Sequence, residues 1–354
     1  MATQTALALT KIGQPLTKIT LPRPEIVDAK DILIKIAAVG LTPLDYKLRD
    51  DGYFNIGARL PAVIGGDLVG TVLTSGHEVS SSFPAGATVF AQCNFLNPSA
   101  GGLQEYTVIN GEYAGIVPAN ISITEAALYP INAMTSAVAL FTPDGFDLPF
   151  PGTPEAQSFD YPSQTVVIIG GGSNTGKLAI QLARIAGIGT IIAIASKSNE
   201  EVLKSYGATH VIARQDKHIE KQVRDVVGDD LIHVLDTINT PDRTLALSML
   251  SNTKQGILAH LTPGSSSEVL RAQKEAGVRE SGVQGFSHRY PEFGRLFWKI
   301  FPEWLESGRI KSINTKSLRD WMQTRSMLRL MSIGITKAES GIMSALGKRP
   351  WPTE

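Results

Sequence analysis

The stretch "VVIIGGGSNTGKLAIQLARIAG", Val166–Gly187, decides the fold. An apolar run rich in Val and Ile passes through a glycine-rich turn into a segment with helical periodicity. A strand, a tight loop and a helix in that order set backbone amides and a helix N-terminus around a phosphate. Two ligands fit such a loop: a mononucleotide in a P-loop, or the pyrophosphate of a dinucleotide. A P-loop reads G-x-x-x-x-G-K followed by Ser or Thr, whose hydroxyl ligates magnesium. Gly171 to Lys177 supplies the glycines and the lysine, but Leu178 follows. Leu178, Leu182 and Ile185 stand at i, i+4 and i+7, which reads as one buried helical stripe. The dinucleotide reading needs small residues at the turn, at the approach to the pyrophosphate and where helix meets sheet. Gly170, Ser173 and Gly176 occupy those places, Ser173 replacing the usual middle glycine and offering a hydroxyl to phosphate. Asn174 and Thr175 complete the candidate loop.

The next strand selects the coenzyme. A site for NAD wants a carboxylate about 20 residues beyond the loop, to accept from the ribose 2′-hydroxyl. Ser196, Lys197, Ser198 and Asn199 stand there, and no acid precedes Glu200. Hydroxyls and an ammonium hold a 2′-phosphate that a carboxylate would repel. Arg214, ending the third strand, can reach the same phosphate or stack on adenine. The expectation is NADPH.

Outward from this loop the chain reads as two parts. From Thr165 on, "TIIAIAS", "THVIAR", "LIHVLDTI" and "GILAHLTP" alternate with "NEEVLKSYG" and "IEKQVRDVVG". Continuous apolar strands alternating with helices predict a doubly wound parallel sheet. Residues 5–125 instead show short alternating runs such as "DILIKIAAVG" and "GDLVGTVLTSG", bounded by Gly, Pro and Asp. "EAALYPINAMTSAVALF" reads as an apolar helix interrupted by Pro130, and 142–162 as an irregular loop. "PEFGRLFWKIFPEWLESGRIKS" is amphipathic, aromatic and at least partly helical.

Bulk composition narrows the function classes. At 354 residues two domains are expected. Lys plus Arg, 33, equals Asp plus Glu, 33, and no local basic patch stands out, which argues against a nucleic-acid ligand. A single cysteine, Cys93, excludes an internal disulfide and a cysteine-rich zinc lobe. No apolar run reaches membrane length. The opening "MATQTALALTKIGQPLTKI" lacks the unbroken apolar core of a signal peptide. The expectations are a cytoplasmic protein with no membrane contact, and a monomer or weak dimer.

Several motifs together resemble the medium-chain dehydrogenase/reductase superfamily, a GroES-like β-rich catalytic domain plus a Rossmann domain. "GLTPLDYKLRDDGYF", Gly40–Phe54, is similar to the family's G-x-N-P-x-D-x-K-x-R-x-G-x-Y segment, with Thr42 in place of the asparagine. "LPAVIGGDLVGTV", Leu60–Val72, resembles its P-x-x-x-G-x-D-x-x-G strand, and "EAALYPINAMTSAVALF" the helix entering the Rossmann domain. The Pro-rich 142–162 insertion and "PEFGRLFWKIFPEWLESGRIKS" resemble fungal trans-acting enoyl reductases and toxin-cluster relatives. The resemblance implies a catalytic domain over 1–125 and 290–354, and a coenzyme domain over 126–289. It also implies a closing C-terminal strand, for which "SALGKRPWPTE" keeps Gly347–Lys348 alone.

Zinc members of this superfamily place a cysteine where Thr42 stands and a histidine where Gly66 stands. Six scattered histidines show no paired ligand spacing, so no metal is expected. Without a Lewis acid, reduction of a C=C conjugated to a carbonyl is the easier reaction, since a few hydrogen-bond donors stabilise the enolate. The resemblance implies Thr42, Asp45 and Thr135 at the nicotinamide half, with Leu261, Thr262, Gly285, Phe286 and Ser287 from the last strands. Tyr129, Asn132 and Ser136 are the implied substrate contacts. Tyr46, Lys47 and Tyr53 are the candidate proton donors, water being the alternative. Asp236, ending "LDTI", reads as a structural hydrogen-bonding group, and Cys93 has no basic neighbour to make it a nucleophile. The implied substrate is a small molecule or a carrier-tethered acyl chain, with a polyketide synthase as the implied partner. A quinone oxidoreductase or dehydrogenase of the same superfamily, and a non-catalytic coenzyme-binding scaffold, are the alternatives.

Overall fold

The computed structural model describes residues 2–94, 97 and 100–313. The C-terminal Gly347–Lys348 expectation lies outside the described residues. The chain divides into two compact units. One holds the residues up to Ile131 with Tyr290–Glu306; the other holds Asn132–Arg289 with Ser307–Ile313.

The first unit is antiparallel. Strands β1 (Thr3–Leu9), β2 (Thr17–Pro22) and β4 (Ala62–Val63) form a sheet in the order β2-β1-β4. Strands β3 (Asp31–Gly40), β5 (Asp67–Ser75), β6 (Thr88–Gln92), β7 (Tyr106–Asn110) and β8 (Ala114–Ile116) form a second sheet, β7-β3-β5-β6-β8. Ile32, Ile34, Leu68, Val72 and Val89 alternate inward from these strands into one core. Period-2 alternation with one face buried is what the sequence pattern requires. Helix Pro291–Glu306 carries an aromatic face: Phe297 stacks on Phe301 at 4.9 Å between ring centroids, and Trp298 meets Phe90 edge-on at 5.5 Å. Pro302 sits inside this helix. A Cβ on Gly115 would lie 2.6 Å from the Pro302 ring, so glycine lets β8 pass under it.

The second unit is a six-stranded sheet ordered β11-β10-β9-β12-β13-β14. Its strands are β9 (Thr165–Ile169), β10 (Thr190–Ala195), β11 (His210–Ala213), β12 (His233–Asp236), β13 (Gly256–His260) and β14 (Val278–Gly282), and all neighbours pair in parallel. Reading outward from β9 in both directions gives the doubly wound Rossmann order. Val167, Ile169, Ile192, Ile194, Val234 and Leu258 are fully or nearly fully buried, each worth about 1.5–3 kcal/mol on transfer from water.

Two local features differ from the sequence reading. Pro130 begins helix Pro130–Phe141 instead of interrupting a longer one, because proline's fixed φ suits a first helical turn and its missing N–H costs nothing there. β14, "VRESG", is a strand that no apolar run marks, because every residue is at least partly exposed, as on a sheet edge. No helix among the described residues is long and apolar enough to cross a membrane.

Candidate active site

The glycine-rich turn is built by close approach. Gly170 follows β9 at φ +78°, and a Cβ there would lie 2.4 Å from both the Thr237 hydroxyl and Ile238. A Cβ on Gly176 would lie 2.4 Å from the Gly170 carbonyl oxygen, and 2.8 Å from the Gly171 Cα. A Cβ on Gly172 would meet the Asn199 amide nitrogen at 2.5 Å. Side chains at these positions would fill the space over the turn or push helix Asn174–Ala186 off the strand.

Ser173 caps that helix: its Oγ accepts from the Gly176 N–H at 3.0 Å. The same Oγ lies 3.0 Å from the Thr237 hydroxyl, which is also within donating distance of the Ile169 and Gly170 carbonyls at 2.9 and 3.1 Å. With the Thr237 proton directed to a carbonyl, the Ser173 proton goes to Thr237. The hydroxyl expected to meet phosphate therefore ties the loop to the end of β12. The N–H groups of Asn174 and Thr175 have no partner within the helix, as at any helix start, and supply donors for an anion. The loop and helix end thus fit a pyrophosphate through main-chain amides.

At the end of β10, the Ser196 and Ser198 hydroxyls are 3.0 Å apart, and Lys197 is exposed beside them. Glu200 accepts from Lys204 at 2.7 Å, so the first acid of this segment is held by a cation of its own helix. Lys197, Ser198, Glu200, Glu201 and Lys204 line one hollow. Arg214 is exposed at the end of β11, its backbone N–H donating to Ala195. The end of β10 thus offers hydroxyls and a cation, beside the Glu200 and Glu201 carboxylates of the same hollow.

Farther along the sheet, a Cβ on Gly285 would lie 2.1 Å from the Thr135 hydroxyl, so these two expected coenzyme residues are in direct contact. Leu261, Thr262 and Phe286 are half-buried, whereas Ser287 is fully buried. Asn132 accepts from the Thr175 hydroxyl at 2.9 Å. Ser136 is fully buried, with its Oγ within donating distance of the Asn132 carbonyl at 2.7 Å and the Thr175 carbonyl at 2.8 Å. Ser136, expected as a substrate contact, fastens helix Pro130–Phe141 to helix Asn174–Ala186.

In the β-rich unit, Thr42 caps helix Pro43–Asp51, and Asp45 closes the first turn on it. Asp45 Oδ2 accepts from the Thr42 N–H at 2.7 Å and from its hydroxyl at 3.1 Å, while Oδ1 accepts from the Gly65 N–H at 3.0 Å. Burial pushes the Asp45 carboxyl up, and these hydrogen bonds pull it back. Asp45, 1% exposed, holds the 65–66 turn to the start of this helix. Tyr129, expected as a substrate contact, is fully buried, donates to Glu125 at 2.7 Å and packs edge-on against Phe301. Lys47 and Tyr53 come together, with the ammonium 5.6 Å from the ring centroid, and burial lowers the lysine pKa. Tyr46 is half-buried on the same helix, one residue around from Lys47.

Asp67 escaped the sequence reading. It is fully buried; Oδ1 accepts from the Ile131 N–H at 2.7 Å, and Oδ2 has no hydrogen-bond partner. Burial, and then the neighbouring Asp45 charge, raise its carboxyl well above the ordinary range. Only its place in a G-x-D motif could have flagged it. Cys93 is buried beside it, its thiol pushed up by burial and by both carboxyls. Asp236 ends β12 as a cap, accepting from the N–H groups of Ile238, Asn239 and Thr240.

These features define a nicotinamide-coenzyme oxidoreductase with a GroES-like domain. The alcohol dehydrogenase GroES-like domain model matches residues 28–120, and the zinc-binding dehydrogenase model matches residues 175–294. Dehydrogenase orsE of Emericella nidulans is 33% identical over 74% of this chain and 79% of its own. The trans-enoyl reductase himH of Aspergillus japonicus is 28% identical over 88% and 85%. Among solved structures, CurK enoyl reductase superposes with a TM-score of 0.69 at 21% identity, covering 87% of this chain and 88% of its own. A mycobacterial protein solved with NADPH gives 0.66 at 20%, covering 87% and 90%. At those identities the structures show the fold. The chain belongs to the medium-chain dehydrogenase/reductase superfamily. Zinc appears in the description of one matching model. Among the described residues no group of three or more His, Cys, Asp or Glu is placed to hold a metal ion.

Proposed function

We propose that the protein is an NADPH-dependent, zinc-independent reductase of C=C bonds conjugated to a carbonyl, acting in trans on acyl chains of fungal polyketide-type biosynthesis. The observation that carries the coenzyme choice is the end of β10, where the Ser196 and Ser198 hydroxyls stand beside exposed Lys197, and Glu200, the first acid, is held by Lys204. The solved relative holding NADPH supports the same choice. Relatives named trans-enoyl reductase support the reaction class.

Bound coenzyme supplies the hydride. The chain's part is to bind, orient and handle the proton. The amides of Asn174 and Thr175 hold the pyrophosphate, and Thr135 and Thr262 orient the nicotinamide end. Lys47, close to Tyr53, supplies a cation for the enolate oxygen. Its burial-lowered pKa makes it a better proton donor than an exposed lysine. The Tyr53 hydroxyl is the second donor within that pair.

The test is a fluorescence titration with NADPH and with NADH, followed by turnover on a synthetic enoyl thioester and on a quinone. NADPH is expected to bind at least about tenfold more tightly, with the thioester reduced faster than the quinone. Equal binding of the two coenzymes sinks the coenzyme choice, and faster quinone turnover sinks the reaction class.

A further inference from the structure

Residues 237–243, the loop that leaves β12, contain three non-glycine residues at positive φ: Asn239 at 55°, Asp242 at 48° and Arg243 at 49°. Such conformations persist where surrounding contacts enforce them, and they cluster at functional sites. Asp242 is held by Ser265 and Ser267, whereas the contacts of Asn239 and Arg243 lead to one place. Asn239 Oδ1 accepts from the Thr262 N–H at 3.0 Å. Arg243 Nη2 donates to the Thr262 carbonyl at 3.0 Å. Both main-chain polar atoms of Thr262 are thus gripped by side chains of a different loop.

Arg243 is buried, 5% exposed, and both of its Nη groups are engaged. Nη1 reaches the Gly264 carbonyl at 2.9 Å, with Ser266 Oγ and Glu280 Oε2 at 3.0 Å. Nη2 also meets His260 Nδ1 at 3.2 Å. That contact requires an unprotonated nitrogen; burial, and then the Arg243 charge, lower the His260 pKa in that direction. Glu280 on β14 anchors the guanidinium as a 3.0 Å ion pair with both partners largely buried. A planar fork with five donors can bridge a strand end, two carbonyls and a carboxylate at once, which an ammonium cannot.

We propose that Arg243 and Asn239 are positioning residues that fix the Thr262 peptide, and through it the nicotinamide end of the bound coenzyme. This rests on the coenzyme reading above. Neither residue touches coenzyme in this account; both act through Thr262. The backbone strain at 239 and 243 is the counterpart of the grip, since relaxing either residue to negative φ would turn its side chain away from Thr262.

The test uses the full chain with Asn239→Gly and Arg243→Lys. Glycine accepts φ near 55° without strain and deletes only the acceptor of the Thr262 amide. Amide exchange of the coenzyme-free protein is the first readout: Thr262 is expected to exchange at least about tenfold faster in Asn239→Gly, with the melting temperature little changed. Affinity for NADPH and for 2′-phospho-ADP-ribose, which lacks nicotinamide, is the second. NADPH is expected to weaken about five- to twentyfold while the fragment holds constant. Arg243→Lys should show the same split, more strongly. Unchanged Thr262 exchange overturns the clamp, and so does equal weakening of NADPH and fragment, which marks a merely structural role. A wild-type chain that binds neither molecule overturns the coenzyme reading and the clamp's role in it, while the exchange readout still decides the anchoring of Thr262.

Discussion

Two helix N-termini in this molecule use the same local device to opposite ends. Helix Pro43–Asp51 closes its first turn with Asp45, a buried carboxylate that accepts from Thr42 and from the 65–66 turn. Helix Asn174–Ala186 is capped by Ser173, which is neutral and satisfies one amide. A helix start carries about half a positive charge. In the first helix the chain's own anion neutralises it; in the second it stays available to a phosphate. The difference is one of charge and burial, since both caps have ordinary extended backbone.

Gly176→Ala should break this contrast most severely. The new methyl would sit 2.4 Å from the Gly170 carbonyl oxygen, a backbone atom that cannot step aside. Overpacking of this kind costs about 1–3 kcal/mol, so coenzyme affinity should fall by up to about a hundredfold in a fluorescence titration. Lys47→Met sharpens the other side. Turnover should fall at least about tenfold, and the loss of rate at alkaline pH, where the lysine deprotonates, should vanish from the pH profile. Retention of that alkaline limb in the variant would remove Lys47 from the chemistry.

Ser196→Ala with Lys197→Ala comes next. The preference for NADPH over NADH should drop by about tenfold, with NADH affinity nearly constant. The smallest expected effect separates the two units by the sign of their pH dependence. Asp67 has a raised carboxyl pKa, so its contribution is complete below the ordinary value of 3.8 and is lost as pH rises through the raised one. His233, stacked on Phe146, is lowered from 6.5 to about 4, mainly by burial. Its contribution is complete above 6.5 and is lost as pH falls towards 4. Urea melts of Asp67→Asn and His233→Gln against pH should remove slopes of opposite sign, each at most about 1.4 kcal/mol per pH unit.

The strands and helices around Val166–Gly187 could be read directly, because continuous Ile and Val runs alternating with helical stripes leave little choice of fold. The Gly170 and Gly176 roles were equally legible, since glycine at fixed offsets has a steric meaning. Ser173 was read correctly as part of the loop but not for its bonds, because its partner Thr237 lies 64 residues away. Ser136 bonds the Thr175 carbonyl 39 residues away and Tyr129 packs on Phe301, contacts that no local pattern marks. Lys177 shows the same limit: it sits where a P-loop lysine would, yet it is buried and donates to the Ile313 carbonyl at 3.1 Å.

By itself the sequence determined the class of fold, the glycine turn and the residues that follow the second strand of the coenzyme sheet. Those depend on local sterics, periodicity and the chemistry of single side chains. Only the tertiary structure decided that Asp45 faces its own backbone, that Asp67 is buried with an oxygen left over, and that Arg243 and Asn239 converge on Thr262. Each of those outcomes depends on which distant backbone groups a folded chain brings within hydrogen-bond reach, and no local pattern encodes that distance.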